Sequence, residues 1–219
     1  MDDRSDPIRV IVGLGNPGNE HQSDRHNAGF WFLDRLAGRL GSVFQTEARF
    51  FGDLGRVRVG QAGHLWLLKP GTYMNRSGEA VVALCNYYRI NLAQVLIVHD
   101  ELDLMPGTAR LKFGGSSAGH RGLKDISERV GGQAYWRLRL GIGHPRRLDL
   151  RQEVASFVLH RPCTAHQSLI EGEIERAIDL LPLLAEGAFP EAMRRMHRRP
   201  SPPGEPPADE MPPNEGPSN

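Results

Sequence analysis

Four polar segments of this chain carry residues able to do acid–base chemistry. They are Gly15-Asn16-Pro17-Gly18 with Arg25-His26-Asn27, then Tyr73-Met74-Asn75, His99-Asp100-Glu101 and Gly119-His120-Arg121-Gly122. Each follows an apolar run or sits in a glycine-rich loop. Together they offer His26 and His120, a carboxylate at Asp100, and two asparagines, Asn16 and Asn75. A neutral histidine can take a proton from water, a carboxylate can hold its ring in the required tautomer, and amide side chains can donate to a developing oxyanion. No serine or cysteine stands in a nucleophile motif, no HxxEH or CxxC array offers zinc ligands, and no P-loop is present. The set therefore suits hydrolysis without a metal or cofactor. A lone loop histidine commonly does no more than satisfy backbone groups; the four segments jointly favour chemistry.

The stretch Val10 to Gly29, VIVGLGNPGNEHQSDRHNAG, reads as a site floor. The expected strand Ile8 to Val12 enters a glycine-rich turn whose glycines would let backbone approach a ligand. A polar loop then delivers His26 to a helix start, with Asn27 as the expected cap. Gly13, Gly15 and Gly18 also spell the dinucleotide-binding pattern. That reading needs a helix beginning inside the motif, and the first helical spacing is Phe30, Leu33, Leu36, Leu40.

Further strands are expected at Leu54 to Val59, His64 to Lys69, Val95 to Val98, Ala109 to Lys112 and Trp136 to Ile142. Asp100 and Glu101 then fall just beyond a strand end. Helices are expected at Ser77 to Arg89, from about Leu123, and from Thr164 or Ala165 past Leu180, where Pro182 should end or kink the last. This alternation predicts one α/β domain, a three-layer sandwich with helices on both faces of a mixed, mostly parallel sheet. Sites in such sheets gather at strand ends. The alternation Arg137, Leu138, Arg139, Leu140 predicts a strand with one basic face. With Arg110, Lys112 and Lys124 it makes a patch able to bind phosphates, or else a solvated face of ion pairs.

The chain has 219 residues, 39% hydrophobic and 24% charged, with a formal charge of +1, so it can bury one real core and is not coated in basic surface. No apolar run spans a bilayer, and the acidic start MDDRSDP is no signal peptide. The two cysteines, Cys85 and Cys163, suit a reducing compartment as buried small hydrophobes. Residues 1–7 read as a flexible start and 8–198 as the folded domain. Residues 199–219 hold eight of the 16 prolines and almost no large apolar side chain, and read as disordered.

The blocks VGLGNPG, RHNAG, TYMNRSG, HDELDLMPG, GHRGLKDI and RLRLGIGHP, in that order, resemble the signature of the bacterial peptidyl-tRNA hydrolase family. The resemblance runs from about Ile8 to His197. It implies a cytoplasmic, monomeric, metal-independent esterase that cleaves peptide from the 3′-ribose of tRNA and so recycles tRNA. It implies His26 as base and Asp100 as the carboxylate that keeps it basic. Asn16 would distinguish N-blocked from free aminoacyl groups. Tyr73 and Asn75 would contact the 3′-CCA end and peptide, His120 would line the cleft, and Arg110, Lys112 and Arg139 would receive the acceptor stem.

Three positions depart from the family's usual residues: His21 for tyrosine, Asp24 for threonine and Arg121 for asparagine. Arginine has five donors and no acceptor, so it does not copy an amide. It could grip a phosphate or an oxyanion, or pair with Asp24 or Asp100 and so weaken the base. Arg121 and His21 keep a second reading open, an RNA-binding relative with weakened catalysis.

Overall fold

The computed structural model describes residues 6–60 and 63–198. The tail at 199–219 and most of the expected flexible start lie outside the described residues.

Among the described residues, seven strands form one sheet: β1 (Val10–Gly13), β2 (Gln45–Glu47), β3 (Gly52–Val59), β4 (Gly63–Pro70), β5 (Val95–Glu101), β6 (Ala109–Phe113) and β7 (Trp136–Gly141), in the order β2-β3-β4-β1-β5-β7-β6. The central four, β4, β1, β5 and β7, run parallel, while β2–β3, β3–β4 and β6–β7 pair antiparallel. Every residue of β1 and β5 is buried, which is why those strands read as continuous apolar runs rather than alternating ones.

Among the described residues, seven α-helices cover the sheet: α1 (Ala28–Leu40), α2 (Ser77–Tyr88), α3 (Arg121–Val130), α4 (Val154–Val158), α5 (Thr164–Asp179), α6 (Leu181–Ala185) and α7 (Phe189–His197). The period-2 alternation of the strands sorts the core into two clusters. Ile11, Leu96 and Leu138 pack with Phe32 of α1, Ile174 of α5, Leu184 of α6 and Ala192 of α7. Val10, Val12 and Ile97 pack with Leu84 of α2 and Ile126 of α3. This is the three-layer sandwich that the sequence predicts. Burial of an apolar side chain such as Phe32 or Leu33 stabilises by roughly 1.5–3 kcal/mol. The last helix is held by a flat stack of Phe189 on Trp136, centroids 3.8 Å apart.

Several expectations need correction. Asp100 and Glu101 are the last two residues of β5, not residues beyond it; both are buried and bonded, so the ladder continues through them. Cys163 is exposed, just before α5, whereas Cys85 is buried and its thiol is pushed up to about 11 by that burial. Arg137 is buried rather than part of a basic face. It donates to the carbonyls of Gly115 and Ser116 and lies against the Tyr135 ring. The helix at Thr164 stops at Asp179. Pro182 falls in the first turn of α6, where a missing N–H removes no helical bond.

Gly13 and Gly29 allow a close backbone approach between strand and helix. A Cβ on Gly13 would lie 2.2 Å from the Gly29 carbonyl oxygen, and one on Gly29 would lie 2.3 Å from the Leu14 nitrogen. Strand β1 and helix α1 thus meet backbone to backbone. A three-residue 3-10 turn, Asn19–His21, follows Gly18, but the α-helix begins only at Ala28, after a second 3-10 turn at Arg25–Asn27, so no α-helix starts inside the glycine pattern and the dinucleotide reading fails. Among the described residues no helix is long and apolar enough to cross a membrane.

Candidate active site

The parallel strands place the site at their C-terminal ends. β1 leads to Asn16, β4 leads to Tyr73 and Asn75, and the C-terminal end of β5 carries Asp100. The loop after β6 leads to His120, and α4 forms the facing wall. These elements enclose a cavity of about 540 Å³ lined by Asn16, His26, Tyr73, Asn75, Asp100, His120 and Arg121, with an apolar side of Val154, Ala155, Val158 and Leu159.

Asp100 organises the chemistry. Its Oδ1 lies 2.8 Å from His26 Nδ1 and 3.0 Å from His120 Nε2. A carboxylate only accepts, so both imidazoles present N–H to it. On His26 this leaves Nε2 with a lone pair, on a ring that lines the cavity. On His120 the other nitrogen, Nδ1, accepts the Leu123 backbone N–H at 3.4 Å as the cap of α3. Both nitrogens of His120 are therefore occupied, and His26 is the histidine with a nitrogen free to take a proton. Residue type alone leaves the two equivalent, and only the family resemblance distinguishes them in the sequence.

The electrostatics agree. Burial disfavours the charged form of His26, but the Asp100 carboxylate outweighs it, with a smaller push from Asp24 and an opposing one from Arg121. The net shift is upward from the ordinary imidazole value. Burial likewise works against the Asp100 charge, yet the two imidazoles hold its carboxyl well below the usual range. His99, fully buried, is pushed down to about 3 by burial and by His120, so its ring is neutral. Its Nδ1 meets the Asp100 carbonyl oxygen at 2.7 Å, and its ring packs edge-on against His120, centroids 5.0 Å apart.

Asn16 is held from three directions. Its backbone N–H donates to Asn27 Oδ1 and its carbonyl accepts from Asn27 Nδ2, each at 2.9 Å; its own Oδ1 accepts from the Met74 N–H at 2.8 Å. The side-chain Nδ2 remains to donate into the cavity. Asn27 thus does not cap α1, as its position suggests, because its amide is spent on Asn16. Arg25, also buried, donates from Nη1 to the carbonyls of Phe157 and His160, at 3.0 and 2.7 Å, joining the His26 turn to the α4 wall. Asn27, Arg25 and the apolar wall frame the cavity through contacts between distant segments, which leave no local signal in the sequence.

The remaining candidates divide. Tyr73 and Asn75 are exposed at the cavity. His21 does not line it; its Nδ1 pairs with Asp24 Oδ2 at 2.8 Å. Arg110, Lys112 and Arg139 lie outside the cavity on β6 and β7, where Arg110 faces Arg139 in register. Arg139 is partly spent on Glu101, Nε to Oε2 at 2.9 Å. Arg121 pairs with neither Asp24 nor Asp100. The ligand-type atoms of His26, Asp100 and His120 lie within 4.8 Å of one another, close enough to converge on a divalent cation. Each already bonds another, so a metal there would displace the protons that set the base.

An α/β sandwich with a carboxylate-oriented histidine at the strand ends is an arrangement able to activate water by base catalysis. The comparisons with known proteins are specific. The family model "Peptidyl-tRNA hydrolase" matches residues 10–203, and the chain belongs to that family. A peptidyl-tRNA hydrolase of Polynucleobacter asymbioticus is 53% identical over 194 residues, covering 87% of this chain and 98% of the relative. One from Bordetella avium is 52% identical over 193 residues, covering 88% and 93%. The crystal structure of the Acinetobacter baumannii peptidyl-tRNA hydrolase superposes with a TM-score of 0.81 at 44% identity, covering 88% of this chain and 95% of that one.

Proposed function

We propose that the protein hydrolyses the ester joining a peptide, or an N-blocked aminoacyl group, to the 3′-ribose of tRNA. The observation that carries this reading is the His26 ring, with Nδ1 fixed by Asp100 and Nε2 left to the cavity. Water gives its proton to Nε2 as its oxygen bonds to the acyl carbon. The imidazolium formed is stabilised by the Asp100 carboxylate. The bond to the 3′-oxygen then breaks, and that oxygen takes the proton back from His26. An alcohol is an easier leaving group than an amine, so a positioned base suffices without metal or cofactor.

Asn16, its orientation locked, donates from Nδ2 to an amide carbonyl of an N-blocked substrate, and the exposed Asn75 donates from the same cavity lining. Two amides read peptide backbone without reading side chains, which suits an enzyme that meets every nascent sequence. Tyr73 offers a ring to the 3′-CCA end. Arg110, Lys112 and the free edge of Arg139 receive acceptor-stem phosphates, reading shape and charge rather than bases. The unit that acts is 8–198, working in the cytoplasm as a monomer, and truncation at Arg199 preserves activity.

The test is release of N-acetyl amino acid from N-acetyl-aminoacyl-tRNA in EDTA, beside unblocked aminoacyl-tRNA. Chelator-resistant cleavage of the blocked substrate alone is expected. Absence of cleavage with tRNA binding intact would overturn the hydrolase reading in favour of an RNA-binding relative.

A further inference from the structure

The charged groups around the cavity are almost all spoken for. Asp100 is shared by His26 and His120. Glu101 holds Arg139 and accepts the Asp103 N–H at 3.1 Å. Arg25 and Arg137 are buried on backbone carbonyls, and Arg76 lies on Glu79. Arg121 differs from all of these. Among the described residues it is the one Lys or Arg side chain lining the cavity, and it makes no hydrogen bond, ion pair or ring contact there. It is exposed, and its charge is felt at His26, where it opposes protonation.

A guanidinium presents a planar fork of donors suited to carboxylate or phosphate oxygens. At this place it leaves a positive charge with no internal counter-ion, beside the reacting base. The substrate class proposed above supplies anionic oxygens at two points. The phosphodiester of the terminal nucleotides is one. The acyl carbon is the other: after water adds and the 3′-oxygen leaves with its proton, the acid product loses a proton to solvent and becomes a carboxylate.

We propose that Arg121 is the anion-binding residue of this cavity and holds a negatively charged oxygen of the peptidyl-tRNA or of its acyl product. The proposal rests on the hydrolase reading for the identity of the anion. Held there, the guanidinium fixes one end of the substrate while Asn16 and Asn75 fix the peptide. It stabilises charge where an amide side chain would offer only a neutral donor.

The test is direct titration of the full chain, and of Arg121→Gln and Arg121→Lys, with three probes: N-acetylphenylalanine, its neutral amide, and the trinucleotide CCA. The substituted side chain is exposed, and circular dichroism confirms the fold of each variant. A charge-assisted contact predicts that Arg121→Gln weakens one anionic probe by about tenfold or more, with Arg121→Lys between and the neutral amide unchanged. Loss confined to N-acetylphenylalanine assigns the anion to the acyl carboxylate, and loss confined to CCA assigns it to the phosphodiester. Equal affinity of wild type and Arg121→Gln for both anionic probes would overturn the proposal, as would absence of saturable binding of either to the wild type. Because titration needs no turnover, failure of hydrolysis would count against the proposed function and leave this result to stand by itself.

Discussion

Nδ1 of His26 lies 2.8 Å from Oδ1 of Asp100, a contact between residues 74 apart in the chain. The 3-10 turn before α1 supplies the ring and the C-terminal end of strand β5 supplies the carboxylate, so the pair exists only once strand and helix have met. His120 shares the same oxygen but has no free nitrogen. The two histidines should therefore respond unequally to replacement. His26→Ala should lose about 10²–10⁴-fold in single-turnover hydrolysis. His120→Asn, which keeps a side chain able to cap α3, should lose far less. Equal losses would mean that His120 also moves the proton.

Asn27 should matter although it does not line the cavity. Asn27→Ala removes both bonds to the Asn16 backbone, leaving buried polar groups at a cost of about 1–3 kcal/mol. A fall in Tm is expected, together with a loss of preference for N-blocked over free aminoacyl-tRNA as Asn16 loosens. A variant with lowered Tm and intact preference would show that Asn27 has a structural part alone.

The basic residues should separate by salt dependence. Lys112 is exposed, so Lys112→Ala should weaken tRNA binding and reduce the slope of log K against log salt by about one contact's worth, roughly 0.7–0.9. Arg137 is buried on the Gly115 and Ser116 carbonyls. Arg137→Ala should lower Tm and leave the slope unchanged. A reduced slope for Arg137→Ala would place its charge on the tRNA surface after all.

Added zinc should inhibit. The atoms of His26, Asp100 and His120 can close on a divalent cation, and doing so removes the lone pair or the tautomer that the base needs. Zinc inhibition should be reversed by EDTA and weakened in His120→Asn. Inhibition undiminished in that variant would locate the zinc elsewhere.

Much of this was legible in the sequence because it is local. The apolar runs of β1 and β5 and the spacing Phe30, Leu33, Leu36 announce the sandwich. Polar segments following those runs announce the cavity. Contacts between segments were not legible. Arg137 reads as surface charge from its alternation with leucines, yet the loop at Gly115 and Ser116 folds over it and takes its donors. Asn27 reads as a helix cap, yet Asn16 lies close enough to take both ends of its amide. The glycines read as a ligand cradle, yet Gly13 faces Gly29. In each case a partner from distant sequence takes a group that local chemistry would leave to solvent or ligand.

The most direct measurement is the pH profile of single-turnover hydrolysis of N-acetyl-aminoacyl-tRNA by wild type and Asp100→Asn. Only neutral His26 accepts a proton, and Asp100 raises its pKa above the ordinary imidazole value against the pull of burial and Arg121. Activity of the wild type should therefore rise with pH through a midpoint above about 6.5. In Asp100→Asn the main raising influence is gone, and only the smaller push of Asp24 is left against burial and Arg121. The midpoint should move to lower pH, and the plateau rate should fall by about 10²-fold or more. Profiles with the same midpoint and the same plateau would contradict the assignment of His26 as an Asp100-oriented base.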